Sequence, residues 1–323
     1  MPGVRDQKTY FEISRMAYEL SNMPHIPVLL KEVISFLNPK PGEFFIDGTV
    51  NGGGHTRAIL KRIKGGTFLG CEWDNEIFKN IRDAHLEKKY IANIILKNEN
   101  YADISKILKQ EKLPKADGLL LDLGFSSLQL EAGRGLSFKE DYNHELLDMR
   151  YKKDKQRRTA VEIVNSFSED ELTRIFRDYG EERYARKIAQ NIVFTRKKTR
   201  IMTVNDLVSI IKNAVGNGYE QGRIHPATRV FQALRICVND ELQNIKSVLT
   251  DLPKILKPDG RVVIISFHSL EDRLVKNRFR ELRQKKTLTL LTKKPITSTK
   301  EEAKGNPRAR SAKLRAALVN LPV

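Results

Sequence analysis

The chain has 323 residues, 58 Lys+Arg against 40 Asp+Glu for a formal net charge of +18, and 40% hydrophobic residues. That is apolar material for a sizeable core, which excludes a disordered chain, and at about 100–200 residues per domain it allows two domains. No apolar run reaches the roughly 18–20 residues that span a bilayer, and residues 1–20 lack the apolar stretch of a signal peptide.

Cys71 and Cys237 are the two cysteines. They exclude a disulfide scaffold and a Cys-based zinc site, and they fit a reducing cytoplasm; no metal is expected. The charge is clustered: residues 273–323 hold 15 Lys/Arg against 3 Asp/Glu, a net +12. Such clustering points to a polyanionic partner, nucleic acid above all, although a lysine-rich solvated surface is the plainer alternative.

Along the chain, residues 1–22 read as a polar extension. Apolar residues at helical spacing from Val28 to Leu37 predict an amphipathic helix, stopped by Asn38-Pro39-Lys40-Pro41-Gly42. Strands are predicted at 44–47, 67–71, within 90–96 and at 116–123, with helices at 55–63 and 75–87 between them. This alternation argues for a parallel sheet covered on both faces. Between 133 and 226 the pattern is helical throughout (160–165, 168–179, 181–195, 204–215), with Ser168-Glu-Asp-Glu171 as a capping-box start, so an all-helical insertion is predicted. Phe231, Leu234, Val238, Leu242 and Ile245 then share one helix face, a turn falls at 256–260, and strands follow at 261–267, 287–292 and 313–320. The outer blocks, 23–132 and 227–323, would form one doubly wound sheet of about seven strands.

Four segments carry chemistry. Asp47-Gly-Thr-Val-Asn-Gly-Gly-Gly-His55 is a glycine-rich strand-to-helix turn, which lets backbone N–H groups approach a ligand, or serves only to pack helix on strand. It lacks the Gly-Lys-Ser/Thr of a phosphate-binding Walker loop. Glu72 ends the second strand, where an acid accepts hydrogen bonds from a ribose diol; with the loop, this points to an adenosine-containing cofactor, either a nicotinamide dinucleotide or S-adenosylmethionine. Asp122 ends the fourth strand and is followed by Gly124, Phe125, Ser126 and Ser127, so an acid, an aromatic and two hydroxyls converge at the crevice where doubly wound sheets bind ligands. Finally, His268 follows another strand end beside Glu271 and Asp272. That segment reads equally as a site or as a turn with Ser269 as N-cap.

Together these segments closely resemble the bacterial 16S ribosomal RNA cytosine-N4 methyltransferases. The matching stretches run in order from His25-Ile-Pro-Val-Leu-Leu through 47–55, 117–130, Arg134-Gly-Leu-Ser-Phe138, Leu147-Asp-Met-Arg150, Tyr179-Gly-Glu-Glu182, 225–242, 265–276 and 306–315. The resemblance implies a class I methyltransferase (Rossmann-like) fold, α/β with a doubly wound, mostly parallel sheet and an inserted helical domain that recognises substrate. It implies S-adenosylmethionine as cofactor, methylation of the exocyclic N4 of a cytidine in the decoding region of 16S rRNA within the small ribosomal subunit, and a cytoplasmic location. It allows a homodimer. Carried over residue by residue, it assigns Asp47, Gly53, Gly54, His55, Glu72, Tyr101, Asp122 and Gln129 to the cofactor, with Glu72 on the ribose and Tyr101 against the adenine. The chemistry itself points to Asp122, Phe125, Ser126 and Ser127 as catalytic: Asp122 would accept the amino proton, assisted by a backbone carbonyl or a hydroxyl of Ser126 or Ser127, and Phe125 would stack on the unstacked base. Arg308, Arg310, Lys313 and Arg315 would hold phosphates, although Lys313 and Arg315 also fit outward positions on a last strand.

The chain departs from the family pattern in three places. Asn51 stands where Gly is usual, Glu72 where Asp is commoner, and Leu128 where Pro is usual. Asn tolerates a left-handed backbone, so the turn survives. The competing classes are a methyltransferase acting on DNA or protein, a nicotinamide-dependent oxidoreductase and a non-catalytic RNA-binding protein.

Overall fold

The computed structural model describes residues 27–124, 127–130, 133–139, 142–154, 156–216, 218–219 and 224–320. The extension 1–22 lies outside them, as do Phe125 and Ser126. The chain divides into two compact units, one built from the stretches up to Ser126 and from Val248 onward, the other from Ser127–Ser247.

In chain order the first unit opens with α1 (Leu30–Leu37), β1 (Phe44–Asp47), α2 (Gly54–Leu60), β2 (Thr67–Cys71), α3 (Asn75–Asp83), α4 (Leu86–Lys89), β3 (Asn93–Lys97), a 3₁₀ turn (Tyr101–Asp103), α5 (Ile104–Gln110) and β4 (Ala116–Asp122). The second unit contributes α6 (Ser127–Leu130), α7 (Ala160–Ser166), α8 (Glu169–Gly180), α9 (Ala185–Arg196), α10 (Val204–Val215) and α11 (Thr228–Asn239). Helix α12 (Glu241–Ile255) carries the chain back into the first unit, followed by β5 (Leu256–Ser266), α13 (Ser269–Gln284), β6 (Leu288–Leu290), α14 (Lys300–Gly305) and β7 (Lys313–Val319).

The seven strands form one sheet in the order β3-β2-β1-β4-β5-β7-β6. β1, β2, β3, β4 and β5 are mutually parallel, and β7 runs antiparallel to both β5 and β6. This is the class I methyltransferase sheet that the resemblance implies. The strands are near-continuous apolar runs because helices cover both faces. One row of paired residues crosses the whole sheet as Ile95, Leu69, Ile46, Leu119, Val262, Ala317 and Leu290. Gly118, paired with Phe45, is required by close approach: a Cβ there would lie 2.1 Å from the Phe45 ring. The parallel strands put Asp47, Glu72 and Asp122 at one edge of the sheet, where the strand order turns and ligands bind.

Three expectations need correction. The helix expected over 75–87 breaks at His85, which adopts φ 47°. The turn expected at 256–260 is an irregularity inside β5, with pairing that shifts between Ala116↔Leu256 and Gly118↔Arg261 and a left-handed Asp259 at φ 62°. The single helix expected through Phe231 and Ile245 is two helices, because Asp240 is left-handed at φ 51°. Val230, Phe231, Leu234 and Val238 of the first of these pack into the core of the helical unit with Leu172, Phe176, Ile188, Ile192, Leu207 and Ile211. Capping boxes start α7, α8 and α10 at Thr159, Ser168 and Thr203, so their first turns are fixed by local chemistry as well as by packing.

Candidate active site

The glycine-rich turn is tied to the sheet by its own side chains. Asp47 is fully buried; its Oδ1 accepts from the Thr49 amide at 3.1 Å and its Oδ2 from the Thr56 hydroxyl at 2.7 Å. Burial raises its pKa, against the Thr56 hydrogen bond and the neighbouring His55. With both oxygens engaged inside the turn, Asp47 positions the loop. Gly53 has φ 75°, a left-handed conformation that suits glycine, and serves as N-cap of the short helix α2, which opens with Gly54 and His55.

Asn51 is also left-handed, at φ 48°, as expected of its substitution for glycine. It does more than tolerate the turn. Its amide N–H donates to Glu72 Oε2 at 2.9 Å and its Nδ2 donates to the Asp122 carbonyl at 3.3 Å, so one residue bridges the ends of β2 and β4. Thr49 adds a second link by accepting the Asp122 amide on Oγ1 at 2.6 Å.

Glu72 is buried. Oε1 accepts from the Asp74 amide at 2.9 Å, and the charged groups nearest to it are the acids Asp74 and Asp47. Burial pushes its carboxyl up to about 7. Each carboxylate oxygen accepts one backbone amide and keeps further lone pairs, which the two hydroxyls of a ribose can use. Asn98 Nδ2 donates to the Glu72 carbonyl at 2.8 Å, and Asn100 Oδ1 accepts from the Ala102 amide at 2.8 Å, capping the 3₁₀ turn that presents Tyr101. Tyr101 is half-buried beside the loop: a Cβ on Gly48 would lie 3.0 Å from the Tyr101 Cβ.

Asp122 Oδ1 accepts from the Gly124 amide at 3.3 Å, and Oδ2 lies 3.5 Å from His55 Nδ1. His55 is buried, and its Nε2 is 2.9 Å from the Val28 carbonyl, which fixes the Nε2–H tautomer and leaves Nδ1 a bare acceptor facing Asp122. Burial lowers the His55 pKa and pushes Asp122 up to about 7, with Glu271 adding to the rise and Arg308 opposing it. Asp122 thus changes charge near neutral pH next to a neutral imidazole.

The segment at 265–276 resolves largely into structure. Glu271 Oε2 accepts from the Phe267 amide at 2.7 Å and the His268 amide at 3.3 Å, closing the start of α13. The N-cap is His268, one residue before the expected Ser269. Asp272 receives the Arg315 fork, at 2.6 Å from Nε and 3.3 Å from Nη2, with Lys313 Nζ at 3.7 Å. Arg315 is therefore a buried ion-pair partner rather than a phosphate holder, since a strand covered on both faces admits a guanidinium only when it is paired. Arg310 is exposed and Arg308 half-buried. Gln129 is buried in the second unit, and Ser127 opens α6 there.

The residues that sequence reasoning missed are Thr49, Asn98 and Asn100. Their signal is weak: polar side chains just beyond strand ends, where turns alone also favour them.

The model of the MraW methylase family matches residues 22–319. The chain belongs to that family. It is 43% identical over 309 residues to the ribosomal RNA small subunit methyltransferase H of Syntrophotalea carbinolica, covering 90% of this chain and 96% of that protein. It is 45% identical over 293 residues to the protein of the same name from Dictyoglomus thermophilum, covering 90% and 95%. A third protein of that name, from Persephonella marina, is 42% identical over 293 residues, covering 91% and 98%.

As a member of the MraW family the chain is a methyltransferase that uses S-adenosylmethionine. The residues present fit that cofactor. The spare lone pairs of the buried Glu72 carboxylate suit a ribose diol, and Asp122 at the end of β4 suits a nearby sulfonium cation.

Proposed function

We propose that the protein methylates the exocyclic N4 of a cytidine in the decoding region of 16S rRNA, within the small ribosomal subunit. The observation that carries this reading is the identity to ribosomal RNA small subunit methyltransferases H over nine-tenths of the chain. The acids at the strand ends, Glu72 and Asp122, supply the chemistry that such a reaction needs.

S-adenosylmethionine supplies a methyl group already activated by its sulfonium. The chain's own work is then positioning and charge management. Glu72 holds the ribose, Tyr101 lies against the adenine, and Gly53, Gly54, His55 and Gln129 complete the cofactor contacts. The cytosine amino group is a weak nucleophile because its lone pair is delocalised into the ring. Ionised Asp122 accepts an amino N–H and takes the proton as the new C–N bond forms: an N–H bond breaks and a carboxyl O–H forms, while the methyl's bond to the sulfonium would break with its electron pair left on sulfur as a neutral thioether. With a pKa raised to about 7, Asp122 is partly ionised at neutral pH and basic enough to keep that proton, and the bare His55 Nδ1 lies 3.5 Å away to share it. Phe125 stacks on the flipped base, and a backbone carbonyl or a hydroxyl of Ser126 or Ser127 assists Asp122 as acceptor. The helical unit recognises the RNA around the target.

Among the described residues no helix is long and apolar enough to cross a membrane. A cytoplasmic location, where ribosomal subunits assemble, belongs to the same proposal. So does the homodimer that the resemblance allows; light scattering would then give twice the 37.1 kDa chain mass.

The deciding experiment supplies labelled S-adenosylmethionine to the enzyme with small subunits lacking the modification, and maps the labelled nucleotide by mass spectrometry. Label on the N4 of one cytidine is expected; label elsewhere overturns the reading. The Asp122→Asn variant should bind cofactor and lose turnover, and unchanged methylation by it removes Asp122 from its role.

A further inference from the structure

The cations assigned to phosphates from sequence are partly spent, with Arg315 paired to Asp272. Most of the remaining excess lies on α13 and the turns around β6. Lys276, Arg280, Arg283, Lys286 and Lys293 are all exposed. Among the described residues, none of these five has a carboxylate within ion-pair distance. Lys276, Arg280 and Arg283 stand at i, i+4 and i+7, on one face of the helix. The acid in the second half of α13, Glu281, is occupied by Arg278 at 2.7 Å and Lys285 at 2.8 Å. The acids of its first turn are also engaged, Glu271 by backbone amides and Asp272 by Arg315.

At the end of α13 the face opens into a cavity of about 790 Å³, lined by Arg283, Lys286 and Lys293 with Thr289 and Asn320, and by no acid. Within that lining, Thr289 Oγ1 donates to Asn320 Oδ1 at 2.9 Å.

The path of the helix gives this surface a direction. α13 begins just past the carboxyl end of β5, on the edge that carries Asp122. Because β6 is parallel to β5, α13 must return to the opposite edge before β6 begins. Its 16 residues span about 24 Å. Lysines also protect exposed sheet edges from pairing, but β6 itself is Leu-Thr-Leu, and the cations stand on the helix and the flanking turns.

We propose that the exposed face of α13 and the cavity between its end and β6 form a track for RNA phosphates, leading the strand that flanks the target cytidine away from the crevice. The proposal rests on the rRNA reading above and adds the surface that positions the substrate. Guanidinium and ammonium groups contact phosphate oxygens whatever the base, so the track fixes register and leaves base choice to the site.

The test is the full-length triple variant Arg283→Ala, Lys286→Ala, Lys293→Ala, assayed on small subunits lacking the modification. The expected result is a fall of about tenfold in kcat/KM carried by KM, with kcat kept, and a plot of log affinity for subunits against log salt that is flatter by about two to three. Cofactor affinity by calorimetry and the melting temperature should match the parent chain. Charge-retaining Arg283→Lys, Lys286→Arg, Lys293→Arg should restore KM. A triple alanine variant with the parent KM and salt slope overturns the track. The two proposals fail separately: label found elsewhere than a cytidine N4 sinks the substrate assignment, whereas the salt slope for RNA binding reads the track alone.

Discussion

Glu72→Gln separates what the site costs the fold from what it gives the cofactor. In the free protein, burial holds the Glu72 carboxyl at about 7 against an ordinary value of 4.5. An acid whose folded pKa is raised binds its proton more tightly when folded. Its stability is therefore fully present below the unfolded pKa and is lost as pH rises through the folded value. Integrating from pH 5 to pH 8.5 with these two values gives a loss of about 2.5 kcal/mol for this one group. Gln cannot ionise, so it escapes that loss. It also has a constant defect: both Glu72 oxygens accept backbone amides, from Asn51 and Asp74, and the Gln NH₂ leaves one of them without an acceptor, at about 1–2 kcal/mol. Urea unfolding of parent and variant at both pH values should show the variant's relative stability improving by about 2.5 kcal/mol on going to pH 8.5, while its cofactor affinity falls. Parallel pH dependence in the two proteins refutes the claim that burial raises the Glu72 carboxyl.

Three further outcomes follow from local geometry. Asn51→Ala loses both the tolerance of φ 48° and the Nδ2 bond to the Asp122 carbonyl, whereas Asn51→Gly loses only the bond; melting and cofactor titration should rank Gly above Ala by about 1 kcal/mol. Arg315→Met strands the buried Asp272 carboxylate and should destabilise by about 3–5 kcal/mol in chemical denaturation, with the double variant Arg315→Met, Asp272→Leu recovering most of it. Phe176→Ala empties the centre of the helical core and should cost about 3–5 kcal/mol by the same measurement, with cofactor affinity of the folded protein unchanged.

The strand ends were legible because each acid follows an apolar run: Phe44-Phe45-Ile46 before Asp47, Phe68-Leu69-Gly70-Cys71 before Glu72, Leu119-Leu120-Leu121 before Asp122. A run buried on both faces ends where the sheet ends, so a polar residue there marks the edge. Asp240 was illegible by the same logic, since apolar spacing continues on both sides of it and a left-handed Asp after Asn239 leaves no trace in the periodicity. Arg315 misled because charge on a strand reads as outward. On a strand covered on both faces it means a partner, and that partner, Asp272, lies 43 positions away in the sequence. Asn51 showed its backbone tolerance in sequence but not its bridging bonds, which require β2 and β4 to be neighbours of β1.

The net charge of +18 has two separate parts in space, and that separation makes them measurable apart. The acids proposed to meet the cofactor, Glu72 and Asp122, are buried at the carboxyl edge of the sheet. The unpaired cations run along α13 to the opposite edge, about 24 Å from its start, which exceeds the Debye length of about 8–10 Å at ordinary salt. Exposed cations and released counterions respond to added salt, while a buried carboxylate that accepts hydrogen bonds is shielded from it. Raising salt from 50 to 200 mM should therefore raise KM for ribosomal subunits steeply and leave cofactor affinity within about twofold. If the two affinities fall together, the basic face is supporting the cofactor site through the fold, and the division of labour drawn from the positions of Glu72, Asp122 and α13 is wrong.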